Sequence, residues 1–70
     1  MNYLIIEMQT NAQGQTAIVT PSVYSDPIQA EAAFLQTCAY ARQSGLPMHS
    51  VVLLGQDGKA VARKCFIANE

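Results

Sequence analysis

The sequence predicts an α+β domain of ββαββ order, in which a four-stranded antiparallel sheet carries one helix on one of its faces. Three observations support this. Apolar residues alternate with a period of two near both ends of the chain, an alanine-rich stretch without internal Gly or Pro fills the middle, and two glycine-containing turn sequences join strand-like segments in pairs. The 70 residues are enough for one domain, predicted to span 1–70.

The first two strands are predicted to form a hairpin. Leu4, Ile6 and Met8 alternate with their neighbours over 3–10, and the β-branched segment 15–20 follows a turn at 11–14. Pro21 has no N–H to donate, so we expect the second strand to end there or to lie at a sheet edge, and we choose the edge.

The segment 27–44 is predicted to be a helix. Asp26 can cap it, Pro27 suits its first position, and Gly45 and Pro47 favour an end near Ser44. Its buried face is expected to contain the residues that recur at helical spacing, with two additions that widen the face. These residues are Ile28, Ala32, Leu35, Cys38 and Ala39, widened by Phe34 and Ala41.

The third and fourth strands are predicted at 48–54 and 59–67, joined by a turn at 55–58. Placing the third strand beside the first makes every neighbour antiparallel and gives the spatial order 2-1-3-4. The alternative order 1-2-3-4 would put Pro21 in a central strand, so it ranks lower.

The turns also predict which side chains share a face of the sheet. Pairing Thr10 with Gln15 and Leu54 with Lys59 gives two sets of residues. The expected helix-facing set is Leu4, Ile6, Met8, Ala17, Val19, Met48, Val52, Leu54, Val61, Cys65 and Ile67. The expected outer set is Tyr3, Ile5, Ile18, Val51, Leu53, Ala60, Ala62 and Phe66, interrupted by Glu7, His49 and Lys64.

A single helix of about 18 residues is roughly 27 Å long and covers one side of such a sheet. The other side therefore exposes large apolar groups, which predict an interface with a second copy or another protein. The expected interface residues are Tyr3, Ile5, Ile18, Val51, Leu53 and Phe66. Scattered surface hydrophobic residues are the alternative interpretation. A different function, binding of a small ligand between helix and sheet or at a dimer seam, also stays open.

Composition excludes several classes of partner. With a net charge of −1 and 13% charged residues, the chain lacks the basic surface that nucleic acid or anionic membrane lipids would require. The N-terminal residues include no cationic leader, and the two cysteines have no metal-ligand spacing. We therefore expect a cytoplasmic protein with reduced thiols.

Candidate chemistry is sparse. His49 and Cys65 are expected on opposite faces, which disfavours a catalytic pair, and His49 is expected to be a partly exposed neighbour of Lys64. Cys38 and Cys65 are expected to approach each other beneath the helix, chiefly as small apolar groups. No catalytic, cofactor-binding or metal-binding residue is predicted. The expected function is a non-enzymatic interaction module, with a thiol-dependent enzyme as a weaker alternative.

The layout of 3–6, Ser25-Asp26-Pro27, 51–54 and the 56–59 turn resembles small uncharacterised bacterial ββαββ proteins, of the kind encoded by hypothetical and mobile-element genes. The resemblance spans most of the chain and concerns its pattern of elements. It implies the same fold and no particular activity.

Overall fold

The computed structural model describes residues 2–68, so Met1, Asn69 and Glu70 of the predicted 1–70 domain lie outside the described residues. The chain forms ββαββ. The strands are β1 (Tyr3–Thr10), β2 (Thr16–Tyr24), β3 (Met48–Gly55) and β4 (Ala60–Ile67), and the helix α1 is Pro27–Gln43.

The sheet has the order β2-β1-β3-β4, and each pair of neighbours is antiparallel, which confirms the predicted topology. β2 lies at an edge, as Pro21 indicates, but it continues to Tyr24 instead of ending near residue 20. The pairing of β1 with β2 shifts by one residue between Ile5 and Glu7, opposite the region of Pro21. An edge strand with a local irregularity tolerates a proline because no ladder hydrogen bond has to be donated there.

The first turn differs from the predicted one in length. Thr10 pairs with Thr16, so the loop contains five residues, and the Asn11 side chain accepts hydrogen bonds from the backbone N–H groups of Gln13 and Gln15 at 3.0 Å. Gly14 takes a φ of 80°, which favours glycine. An additional loop residue reverses the face of every side chain in the following strand segment. Ile18 therefore lies beside Met8, on the face opposite to the predicted one.

The helix begins and ends as predicted. The Asp26 carboxylate accepts the Ile28 N–H at 3.0 Å, and Gly45 follows the last turn with a φ of 69°. Its buried face is narrower than predicted and consists of Ala30, Phe34, Cys38 and Ala41.

The remaining expected helix core residues were wrong, because Ile28, Ala32, Leu35 and Ala39 are exposed. Small side chains at Ala30 and Ala41 allow the helix to lie close to the sheet, with Phe34 as the one large group between them.

The helix covers the face of the sheet opposite to the one predicted. Ile5, Val51 and Leu53 form the buried core with the helix, and five other residues are partly buried against it. These are Tyr3, Tyr24, Ala33, Ala62 and Phe66. Arg42 of the helix lies over the Phe66 ring, 5.9 Å from its centroid, which places that ring on the helix side. The two predicted faces of β1, β3 and β4 are therefore interchanged.

Polar residues on the covered face explain the error. Glu7, His49 and Lys64 favoured an outer position for that face, yet Glu7 and His49 satisfy each other's hydrogen bonding at its edge. Buried polar groups cost little when they are paired, so they do not exclude a face from the core.

Candidate functional site: an uncovered sheet face

The sheet surface opposite the helix, here called the open face, is apolar over most of its area. The register places one side chain of every second residue of each strand on it. Its large apolar residues are Leu4, Ile6, Met8, Ile18, Val23, Met48, Val52, Leu54 and Ile67.

Four rows of side chains cross the open face. Thr16, Thr10, Met48 and Ile67 form the first row, and Ile18, Met8, Ser50 and Cys65 form the second. Ile6, Val52 and Arg63 lie in the third row, and Val23, Leu4, Leu54 and Ala60 form the fourth. Ile18 and Val23 on the edge strand β2 are the most prominent, with 64% and 62% of their surface exposed.

Only one of the predicted interface residues, Ile18, lies on this face. Ile5, Val51 and Leu53 are buried beneath the helix, and Tyr3 and Phe66 are partly buried against the same core. These five residues therefore cannot offer their side chains to a partner while the helix stays packed on them. The prediction of an uncovered face is retained, but it applies to the other set of residues.

The open face provides little for nucleic acid. All five aromatic residues lie elsewhere, three against the helix-side core and two on the helix itself, so no base-stacking platform is present. Among the strand residues that the structure describes, Arg63 is the only charged one on this face, since Glu7 and Lys64 lie on the helix side. The face is suited to apolar contact instead.

A depression of about 460 Å³ lies at one end of the open face, around Ser50. It is lined by Met8, Met48, Val52 and Cys65, together with Arg63 and Lys64. Ser50 is a small residue among larger ones, and its side chain lies low between them, with 8% of the residue exposed. Its hydroxyl has no hydrogen-bond partner. Buried polar groups without partners are rare, so this hydroxyl needs an explanation.

On the opposite side of the sheet, His49 connects the helix end with β1. Its Nε2 lies 2.9 Å from Glu7 Oε1, and its Nδ1 lies 3.1 Å from Ser44 Oγ. His49 is buried and lies directly opposite Phe66, so the expectation of a partly exposed neighbour of Lys64 was wrong in its exposure. The two residues do share a face, as predicted.

The Ser44, His49 and Glu7 set contains the residue types of a nucleophile, a base and an orienting acid. However, Ser44 Oγ donates to the Ala41 carbonyl at 2.8 Å and lies at the carboxyl end of the helix, where carbonyl groups and the negative dipole end would repel an oxyanion. The arrangement fastens the helix end to the sheet. Sequence reasoning missed it, although the predicted pairing of β1 with β3 already puts Glu7 and His49 on one face.

The two cysteines lie on opposite sides of the sheet, which corrects the expectation that they approach each other. Cys38 is buried under the helix, whereas Cys65 is exposed on the open face, and both are free thiols. Burial raises the pKa of the Cys38 thiol above its ordinary value of 9.0, and the positive charge of Lys64 partly opposes this shift. His49 and Cys65 also lie on opposite faces, as predicted.

The different surroundings of the cysteines predict different reaction rates. Iodoacetamide is expected to alkylate Cys65 of the folded chain at least about tenfold faster than Cys38, because thiolate population and access control this reaction. Mass spectrometry of timed samples measures both rates, and Cys65→Ser provides the control in which only slow labelling remains. Equal rates in the folded chain would show that Cys38 is not covered by the helix.

Within residues 2–68, no group of three or more His, Cys, Asp or Glu side chains is placed to hold a metal ion. The helix is neither long nor apolar enough to cross a bilayer. Comparisons with protein-family models, with curated proteins and with solved structures give no match for this chain.

Proposed function

We propose that this chain is a non-enzymatic interaction module that forms a homodimer through its open face. The observation that carries the proposal is a sheet whose helix lies on one side only, while the other side presents nine large apolar residues and one charge. Contiguous apolar surface of this kind is typical of interaction sites in small domains.

The area of the open face matches what a dimer requires. Strands of about eight residues extend roughly 26 Å, and four strands at a spacing of about 4.8 Å extend roughly 19 Å. The footprint is therefore about 500 Å² for each copy, and two copies would bury about 1000 Å² or more, which is the lower bound for a specific interface.

The total surface points the same way. The chain exposes 4879 Å². A compact monomer of its mass is expected to expose about 4300 Å². The excess of roughly 600 Å² is of the size that one copy would lose in such a dimer.

A second copy of the chain fits the open face better than a charged partner does. Two apolar sheets stack face to face about 10 Å apart with nearly aligned strands. A two-fold axis parallel to the strands puts β4 of one copy over β2 of the other, so the two Arg63 side chains do not face each other. The same symmetry brings the prominent Ile18 over the low end of the second row, at Ser50 and Cys65.

We also assign the module to a thiol-reducing compartment such as the cytoplasm of a bacterial cell. Its two free cysteines, on opposite sides of the sheet, support this assignment.

The double variant Ile18→Lys with Val23→Lys tests the proposal. Both positions are exposed, so the monomer fold should tolerate the change, while four lysines at a dimer interface should weaken association by at least about a hundredfold. Sedimentation velocity at micromolar concentration is expected to give about twice 7.6 kDa for the wild type and the single-chain mass for the variant.

The matched control is Ile28→Lys with Leu35→Lys, two exposed residues on the outer side of the helix, 79% and 59% exposed. This control should remain a dimer. A monomeric wild type up to high micromolar concentration, or loss of the dimer only in the helix variant, would contradict the proposal. Circular dichroism of each variant verifies that the fold is retained.

A further inference from the structure

We infer that the depression around Ser50 binds a small amphipathic carboxylate, and that this ligand opposes self-association. The first part stands on the depression alone. The second part rests on the proposed homodimer, because the depression belongs to the same open face.

The unpaired Ser50 hydroxyl is the first argument. It is more than nine-tenths buried, lines the depression, and has neither a protein donor nor a protein acceptor within reach. A ligand oxygen at the floor of the depression would accept its proton. In the proposed dimer, by contrast, an isoleucine would cover this hydroxyl and leave it unsatisfied.

Arg63 is the second argument and defines the charge of the ligand. It lines the same depression and lies two residues from Cys65, the cross-strand neighbour of Ser50, on the same face of β4. Diagonal neighbours in a sheet lie about 7 to 8 Å apart, within reach of a guanidinium side chain. A planar carboxylate can accept from Arg63 in bidentate fashion and from Ser50 at the same time.

The remaining lining defines the body of the ligand. Met8, Met48 and Val52 offer apolar surface, and methionine side chains adapt to ligands of different shape. The volume of about 460 Å³ lies within the range of small-molecule sites. A phosphate, with two charges and no apolar part, would match neither the single arginine nor this apolar lining.

Octanoate is the probe for the binding test. Titrated below its micelle concentration into the 15N-labelled variant carrying Ile18→Lys and Val23→Lys, it is expected to shift the amide signals of Ser50, Val52 and Cys65. In that background, Arg63→Gln should weaken binding at least about tenfold, and Ser50→Ala by about three- to tenfold. Arg42→Gln, which removes an exposed arginine on the helix side, should leave the affinity unchanged.

Octan-1-ol separates charge recognition from apolar partition, because its binding should not respond to Arg63→Gln. An absence of shifts around Ser50, or equal octanoate affinities in all variants, would overturn the binding site. Since this arm uses a monomeric variant, its outcome does not depend on the dimer.

The second arm measures the wild-type mass with and without octanoate. Saturating octanoate is expected to convert the dimer to monomer, and Arg63→Gln should raise the octanoate concentration required at least about tenfold. A dimer that persists while the Ser50 signals show saturation would overturn the competition and leave the homodimer intact. A wild type that is monomeric without octanoate would instead overturn the proposed function.

Discussion

Leu53→Asp is expected to prevent folding of this chain, whereas the same change at the adjacent Leu54 is expected to preserve the fold and abolish the dimer. Leu53 is buried beneath the helix, beside Ile5 and Ala62, with no cation near enough to pair with a carboxylate. Loss of the leucine costs about 2 to 5 kcal/mol before the carboxylate is desolvated. That exceeds the roughly 3 to 5 kcal/mol that a core of this size supplies.

Leu54 lies on the open face, opposite Leu4, and is only partly buried in the single chain. A carboxylate at this position stays in contact with water in the monomer but would be buried in the dimer. Far-ultraviolet circular dichroism and sedimentation of the two variants measure the contrast. If Leu54→Asp unfolded the chain while Leu53→Asp left it folded, the helix would have to cover the other face.

Phe34→Ala is expected to lower the free energy of unfolding by about 3 to 5 kcal/mol, which is enough to unfold much of the sample. Phe34 is the only large apolar side chain that the helix buries against the sheet, because the other buried helix residues are two alanines and a cysteine. No neighbouring helix side chain is large enough to fill the space that the ring leaves.

Leu35→Ala is the matched control for this effect, since Leu35 is the next residue and is exposed on the outer side of the helix. We expect a change within about 0.5 kcal/mol. Urea unfolding followed by circular dichroism gives both values. Similar losses for the two variants would mean that the helix is rotated about its axis relative to the position described here.

Much of the fold follows from local signals in the sequence. Asp26 and Pro27 define the start of the helix, Gly45 its end, and Pro21 an edge strand, because each restricts the backbone or its hydrogen bonds directly. The strand order then follows from antiparallel pairing. These features depend on a few residues close in sequence, so a single chain is sufficient to predict them.

The side of the sheet that the helix covers could not be predicted in the same way. Both faces carry large aliphatic residues, so alternation identifies two faces without ranking them. The polar residues that favoured the wrong ranking, Glu7 and His49, bind each other and Ser44 across distances of 42 and 5 residues in the sequence. Such pairing becomes visible only when the strands are assembled.

The candidate site shows the same limit. An uncovered apolar face was predicted from the number of helices, but its residues were not, apart from Ile18. Ile18 was assigned to the same face as Ile5 through a four-residue turn, and the five-residue loop reversed its face. The unpaired Ser50 hydroxyl gave no signal at all, because serine in a strand is satisfied in most surroundings.

Isotope-filtered NOE spectroscopy on a mixture of labelled and unlabelled chains tests the central claim most directly. It detects only contacts between copies. We predict intermolecular NOEs among the methyl groups of Leu4, Ile6, Ile18, Val52 and Leu54, with none to Ile28 or Leu35. Intermolecular NOEs confined to the helix residues, or none at concentrations where the mass is doubled, would contradict association through the open face.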